Sequence, residues 1–475
     1  MRETGVRPAF PKNLMSSSSP LAQGPWWRSL TPYHWFVFAM ASLAWLFDCL
    51  DQQIFLLFRQ QALANLLPEG TDPKDLKNYG FIATSIFIMG WATGGLIFGS
   101  LGDKFGRAKM LTTTVLLYSV FTGLSALSKG WLDFAIYRFI TGLGVGGVFG
   151  LAVALVADSL PDHARTGALG LLQALSAVGN ITAGLISMWI GSLIREESLS
   201  PDTAWKVAFL LGAGPAFLCV FIPSKLKEPE KWIKARERSA ATGKGMGSYV
   251  SLLGEARWRR PALLGMMLCI SGVIGLWGIG FFAPELVGDV ISNSLREQGI
   301  AETEIASKAA HWKGVNSIVQ NLGSFFGMIA FAWCAQRTGR KPAFIIGFLG
   351  AMAATWSYFQ FFNGVGDVWM SAVMGFFQLA LFAGFAIYLP ELFPTRLRST
   401  GTSFCYNVGR FIAAAGPFAM VGLQDALVKG ATTPAAKLAA FRETCQWMSL
   451  VFLLGLVVLI FLPETKGKPL PEDHD

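Results

Sequence analysis

GSLGDKFGRAKML, residues 99–111, and AWCAQRTGRKPAF, residues 332–344, carry the same Gly-Arg pair at a fixed offset: Gly106-Arg107 meets Gly339-Arg340, 233 positions further on. The same offset lays ADSLPDHARTG (157–167) over PELFPTRLRSTG (390–401), so that Asp158 meets Glu391, Pro161 meets Pro394 and Arg165 meets Arg398. One plan is therefore used twice along the chain.

Outward from these loops the sequence is apolar. The 475 residues are 53% hydrophobic and 15% charged, with a mean hydropathy of +0.47, which is too evenly apolar for a soluble enzyme of this size. Windows long enough to cross about 30 Å of hydrocarbon fall near 34–58, 78–101, 108–128, 132–157, 165–190, 205–223, 261–287, 312–335, 341–362, 367–392, 398–424 and 441–463. The expectation is an all-α membrane protein of twelve spans in two pseudo-symmetric six-helix bundles. It divides into an N-terminal segment 1–33, bundles 34–223 and 261–463, a basic linker 224–260 and a tail 464–475. Such duplication puts a binding site between the halves near the bilayer midplane and lets it open to one side at a time.

The formal charge of +9 would suggest nucleic acid in a soluble protein. Here Lys and Arg collect in alternate loops, at Lys104, Arg107 and Lys109, in the linker, at Arg337, Arg340 and Lys341, and at Arg396 and Arg398, whereas loops 59–77, 191–204 and 288–311 mix acids with bases. The positive-inside rule then places both termini in the cytoplasm; the expected location is the plasma (inner) membrane, with the bilayer rather than nucleic acid as the macromolecular surroundings. The first 33 residues show no apolar signal core or cleavage site, and Met15 is an alternative start. Cys49, Cys219, Cys269, Cys334, Cys405 and Cys445 lack ligand or framework spacing and read as small core residues.

These stretches carry a resemblance. GSLGDKFGRAKML resembles the signature loop between the second and third helices of the major facilitator superfamily, RFITGLGVGG (138–147) its fourth-helix motif, and LPETKGKPL (462–470) a common tail. More narrowly, PWWRSLTPYHWFVFAMASLAWLFDCLDQQIF (25–55) is similar to the start of the sialate and lactate proton symporters, with the aromatic-acid proton symporters next. The resemblance implies a secondary transporter driven by the proton gradient, without a cofactor, that carries an organic anion with protons. Cys49 in DCLDQ departs from the Asp-Gly dipeptide common at that place.

Within the first span, Asp48 and Asp51 lie three residues apart on one helical face with Gln52 beside them. A central Asp costs about 2.5–3.5 kcal/mol on insertion scales, and two carboxylates so close do not readily both ionise. The pair reads as a proton-binding site, with a structural ion pair as the alternative. Arg138 lies at matching depth in the fourth span, to neutralise one carboxylate or to serve structure alone. Arg410, mid-span in FCYNVGRFIA, has no charged counterpart in the first half. A lone cation there wants an anion: a substrate carboxylate gripped by the guanidinium, or an acid of the first span. Around it are placed Tyr406 and Asn407, Asn316, Gln320 and Asn321, Gln173 and Asn180, Trp277 and Phe281, and Gln378. Their amides suit a polyhydroxylated ligand or helix-to-helix hydrogen bonds, and the aromatic rings suit packing.

The gate set is Asp103, Arg107, Asp158, Arg340, Glu391 and Arg398: Asp103 for a facing helix N-terminus, Arg107 for Asp158. TGLGVGG lies in an apolar span with no strand before it, so its glycines serve close helix packing rather than a dinucleotide. The four histidines fall at helix ends, loops or the tail, with neither a paired catalytic motif nor a metal set, which argues against an intramembrane enzyme. The reading is a monomeric proton symporter importing a small organic anion such as a sugar acid, sialate or monocarboxylate. A neutral sugar or polyol transporter and a transporter-like sensor are the alternatives.

Overall fold

The structure, a computed structural model, describes residues 25–217, 225–279, 283–414 and 433–472. No strand occurs among them. The first half comprises α1 (Pro32–Leu66), α2 (Pro73–Phe105), α3 (Arg107–Ser125), α4 (Trp131–Ser159), α5 (Asp162–Arg195) and α6 (Pro201–Gly212). The linker carries α7 (Glu230–Thr242) and α8 (Tyr249–Gly254). The second half comprises α9 (Ala256–Val273), which runs into a π-helical turn at Ile274–Ile279, then α10 (Ala283–Glu297), α11 (Glu302–Thr338), α12 (Arg340–Phe361), α13 (Trp369–Tyr388), α14 (Arg398–Ala414), α15 (Pro434–Ser449) and α16 (Phe452–Phe461).

Nine described stretches are long and apolar enough to cross a membrane. The other three of the twelve sequence windows are α3, where Arg107, Lys109 and four threonines dilute the apolar residues, and α6 and α14, whose described lengths are 12 and 17 residues. The loops expected at 59–77 and 288–311 are largely helical instead. α1 continues to Leu66, and α10 lays Leu286, Val287, Val290 and Ile291 into one apolar cluster with Tyr358, Phe359 and Phe362 at the end of α12. An amphipathic face with something to cover stays helical beyond the hydrocarbon.

Between α2 and α3, and again between α11 and α12, the chain turns at one residue, Gly106 (φ 112°) and Gly339 (φ 114°). That left-handed backbone favours a residue without Cβ, which is why the Gly-Arg pair recurs. Each new helix begins with its N–H groups capped from afar. Glu228 accepts from the N–H of Arg107 (2.8 Å) and Lys109 (3.1 Å), while Glu464 accepts from those of Arg340 and Lys341 (both 2.9 Å).

The halves meet where α2 packs on α14 and α5 on α11, with α4 also against α14 and α5 against α13. Glycine permits the closeness: a Cβ at Gly99 or Gly150 would strike Ser403, and one at Gly95 would strike Asn407. In TGLGVGG, Gly142 and Gly146 abut the backbone of α2, and Gly144 abuts α3.

Candidate functional site

At the end of the molecule that carries the linker, the repeated loops interlock. Asp103, at the close of α2, accepts from Ser399 N (3.2 Å), Thr400 N (2.8 Å) and Thr400 Oγ1 (2.7 Å), so its carboxylate sits on the N-terminus of α14 in the other half. Dipole and orphan N–H groups both favour an anion there. Arg107 pairs with Asp103 (3.1 Å) and with Asp158, and donates to Thr395 O across the halves (2.7 Å). Asp158 also takes Arg398 of the second half. Arg340 grips Glu391 with Nε (3.0 Å) and Nη2 (2.7 Å) and reaches Thr166 on α5 (2.8 Å). All six gate residues of the sequence reading thus lie in one buried network. It further includes Thr166, Thr395 and Thr400, hydroxyls no sequence pattern marks, and Trp232 of α7, which donates to Asp103 O (2.9 Å). In this structure the halves are closed together at the linker end.

In the middle of the molecule the two acids of the first span part company. Asp51 turns into its own half, where Oδ1 accepts from Thr122 Oγ1 of α3 (2.7 Å) and Oδ2 lies 3.9 Å from Arg138 Nη1. Arg138 donates to Ser125 Oγ from Nε (3.0 Å) and Nη2 (2.8 Å), and to Thr122 (3.2 Å) and Thr141 (3.0 Å), with the Phe209 ring 4.8 Å from its guanidinium carbon. Thr122 and Ser125 carry no sequence signal beyond being hydroxyls at that depth. Asp48 shares its surroundings electrostatically with Asp51 and Arg410, and neither of its oxygens has a hydrogen-bond partner among the described residues. Asp48, Asp51 and Arg138 expose no surface. Three residues apart on the helix, the two acids thus meet different neighbours, Asp51 taking Thr122 and Arg138 of its own half.

Arg410, on α14, is not the bare cation that the sequence suggests. Nη1 donates to Tyr406 O (2.6 Å) and Asn407 Oδ1 (3.2 Å), and the guanidinium carbon lies 4.0 Å from the Trp91 ring and 4.1 Å from the Tyr406 ring. Trp91 belongs to α2, so the two halves meet at this cation.

The surrounding amides divide. Asn180 donates to Asn321 (2.9 Å), bridging α5 and α11. Gln378 donates to Thr355 of α12 (2.8 Å), and Asn316 binds Tyr358 (3.3 Å) and Ser371, so both serve their own half rather than the interface. Buried Gln173 leaves Oε1 without a partner among the described residues, Gln52 is buried, and Gln320 is half-buried beside Gly375. Trp277 falls in the π-helical turn with its side chain outside the described residues, as is Phe281. Of the cysteines, Cys49, Cys269 and Cys405 are free and buried, Cys445 is buried, Cys334 is free and partly exposed, and Cys219 lies outside the described residues.

Residues 53–417 match the model of the Major Facilitator Superfamily. The chain belongs to the major facilitator superfamily. As a member it is an integral membrane transporter built of two six-helix bundles. It is 30% identical over 388 residues to a putative metabolite transport protein of Haemophilus influenzae, covering 81% of this chain and 86% of that one. The niacin transporter NiaP of Acinetobacter baylyi is 26% identical (92% and 96% covered), and the sialic acid transporter NanX of Escherichia coli is 25% identical (82% and 88%). Among solved structures, the proton:xylose symporter XylE bound to 6-bromo-6-deoxy-D-glucose superposes with a TM-score of 0.69 at 20% identity, covering 92% of this chain and 98% of that one, which speaks to the fold.

Proposed function

We propose that this transporter is a proton symporter that imports a small organic anion by alternating access, with the linker end and both termini in the cytoplasm. The observation that carries the reading is Arg410 at the meeting of the halves, against Trp91 of the first half, with a buried Asp48 whose oxygens have no hydrogen-bond partner among the described residues. An ionised Asp48 satisfies the cation; a protonated Asp48 leaves it in want of an anion, which a substrate carboxylate supplies. Loss of that proton then weakens the hold on the carboxylate. Proton and anion are in this way bound together and released together, which is the condition for symport. Asp51 and Arg138 form the second charged pair of the coupling unit, Asn407 and Tyr406 hold Arg410 in place, and Gln52, Gln173, Gln320 and Asn321 line the way past it. The carboxylic substrates named for NiaP and NanX support the class, and the basic linker supports the orientation.

The structural likeness to a xylose symporter favours a second reading, transport of a neutral sugar. Proteoliposomes decide between them. An inward proton gradient should drive accumulation of labelled monocarboxylate, and the amide or ester of the same acid should not compete. Competition by the neutral analogue equal to that of the acid would give the sugar reading the place.

A further inference from the structure

Where the first span leaves the bilayer, the chain builds a surface that the transport site does not use. Along α1, a helix of membrane-crossing length, Trp35, Ala39, Leu46, Gln53 and Leu57 are not packed inward and follow one another at helical spacing down one side. Trp35 and Leu57 are 40% and 44% exposed. At about 1.5 Å per residue they lie about 33 Å apart along the helix, which matches the roughly 30 Å of hydrocarbon in a bilayer. The stripe therefore faces lipid, Trp35 marks its boundary at the linker end, and the residues just before Trp35 lie at the depth of the headgroups.

There the turn Trp26–Ser29 folds back against the start of α1 and is held. Trp26 stacks on Trp35 (centroids 6.3 Å apart, planes 30° apart) and lies where a Cβ on Gly167 of α5 would strike its indole, while Ser29 Oγ shares a 2.6 Å hydrogen bond with Nε2 of His163 on α5. Tyr33, in the first turn of α1, ties down the start of the linker: its hydroxyl accepts from Lys227 N (3.1 Å) and donates to Lys227 O (3.2 Å). Two segments outside the spans are thus pinned to the foot of α1, one carrying Arg28 and the other Lys225 and Lys227. All three are exposed, and none forms an ion pair among the described residues. The neighbouring acid, Asp162, is taken by Arg165 and by Lys231 (3.7 Å). Trp27, half exposed, stands edge-on to Trp26 at 5.8 Å. Indoles settle at the boundary between hydrocarbon and headgroup, and each Lys or Arg beside it adds attraction for an anionic lipid. Net charge selects the occupant, because a zwitterionic headgroup brings its own cation to the place.

We infer that the foot of α1 binds an anionic phospholipid, its phosphate on Arg28 and Lys227 and its chains along the lipid-facing stripe beside Trp35. This holds whatever substrate the transporter carries. Titration of the purified full-length transporter in detergent with short-chain phosphatidylglycerol, and with phosphatidylcholine of the same chain length, tests it by thermophoresis. Phosphatidylglycerol should bind roughly thirtyfold more tightly, the ratio expected of two charge contacts, and Arg28→Gln and Lys227→Gln should each cut that ratio about fivefold. Arg257→Gln, which removes an exposed cation at the start of α9 in the other half, should leave it unchanged. Glycerol 3-phosphate, which has the charge without the chains, should not compete at the same concentrations. Equal binding of the two lipids, or the same loss from Arg257→Gln as from Arg28→Gln and Lys227→Gln, overturns the proposal. Competition by glycerol 3-phosphate overturns it in favour of a soluble phosphate.

Discussion

Asp48 and Asp51 are separated by two residues and by their chemistry. Asp51 answers a buried guanidinium through Thr122, so Asp51→Asn leaves Arg138 without its counter-charge and should lower stability by about 3–5 kcal/mol, the usual result of breaking a buried pair. Asp48 has no hydrogen-bond partner among the described residues, so Asp48→Asn should cost little in thermal unfolding yet abolish uphill uptake while substrate counterflow persists. Equal destabilisation of the two variants, or concentrative uptake by Asp48→Asn like that of the parent, would refute this division. Thr122→Val removes the hydroxyl that bridges Asp51 and Arg138, and a loss of about 1–3 kcal/mol in denaturation is expected for a buried unsatisfied group. The spacing of the two acids and the depth of Arg410 in its span were readable from the sequence. Their neighbours were not, because helical periodicity gives a direction around one axis and is silent about which helix stands there.

The helices themselves were legible wherever apolar windows were long, and they misled where an amphipathic stretch such as α10 runs on past the membrane. The least legible feature is the pair of distant glutamates that start α3 and α12, since nothing local joins Glu228 to Arg107 or Glu464 to Arg340. Burial pushes the Glu464 carboxyl up, but backbone N–H donors from Arg340, Lys341, Lys466 and Thr465 outweigh it and hold the group below the ordinary glutamate range. With its folded value below the unfolded one, the clamp's contribution is fully present above the ordinary value of 4.5 and is lost as pH falls through the lower folded value. Glu464→Gln should therefore lower the melting temperature at neutral pH, by the equivalent of about 0.5–2 kcal/mol as for other lost helix caps. The gap to the parent should close as pH drops below 4.5. A gap that widens on acidification would contradict the sign.

For the whole molecule, the twofold plan was visible as a constant offset, and with it the gate; the differences between the halves were less so. Asp103 has Gln336 as its counterpart, so only the first half carries a carboxylate on the facing helix N-terminus. Asp103→Asn weakens a contact that exists only while the linker end is shut. A loss of about 1–2 kcal/mol should shift the ratio of closed to open forms by roughly five- to thirtyfold. Cysteines introduced in the cavity lining of the linker-end half should react faster with membrane-impermeant maleimide applied from that side; unchanged labelling would exclude Asp103 as a latch.

Asp158 stands between two arginines that belong to different halves, Arg107 of its own and Arg398 of the other. In the language of genetics this makes it a position whose lesions are suppressed by further loss. Neutralising Asp158 strands two buried guanidiniums against each other, and a second substitution that deletes one of them, Arg398→Gln, relieves the surplus charge. Selection for revertants of an Asp158→Asn strain should accordingly return arginine losses at 398 more often than gains of new acids nearby.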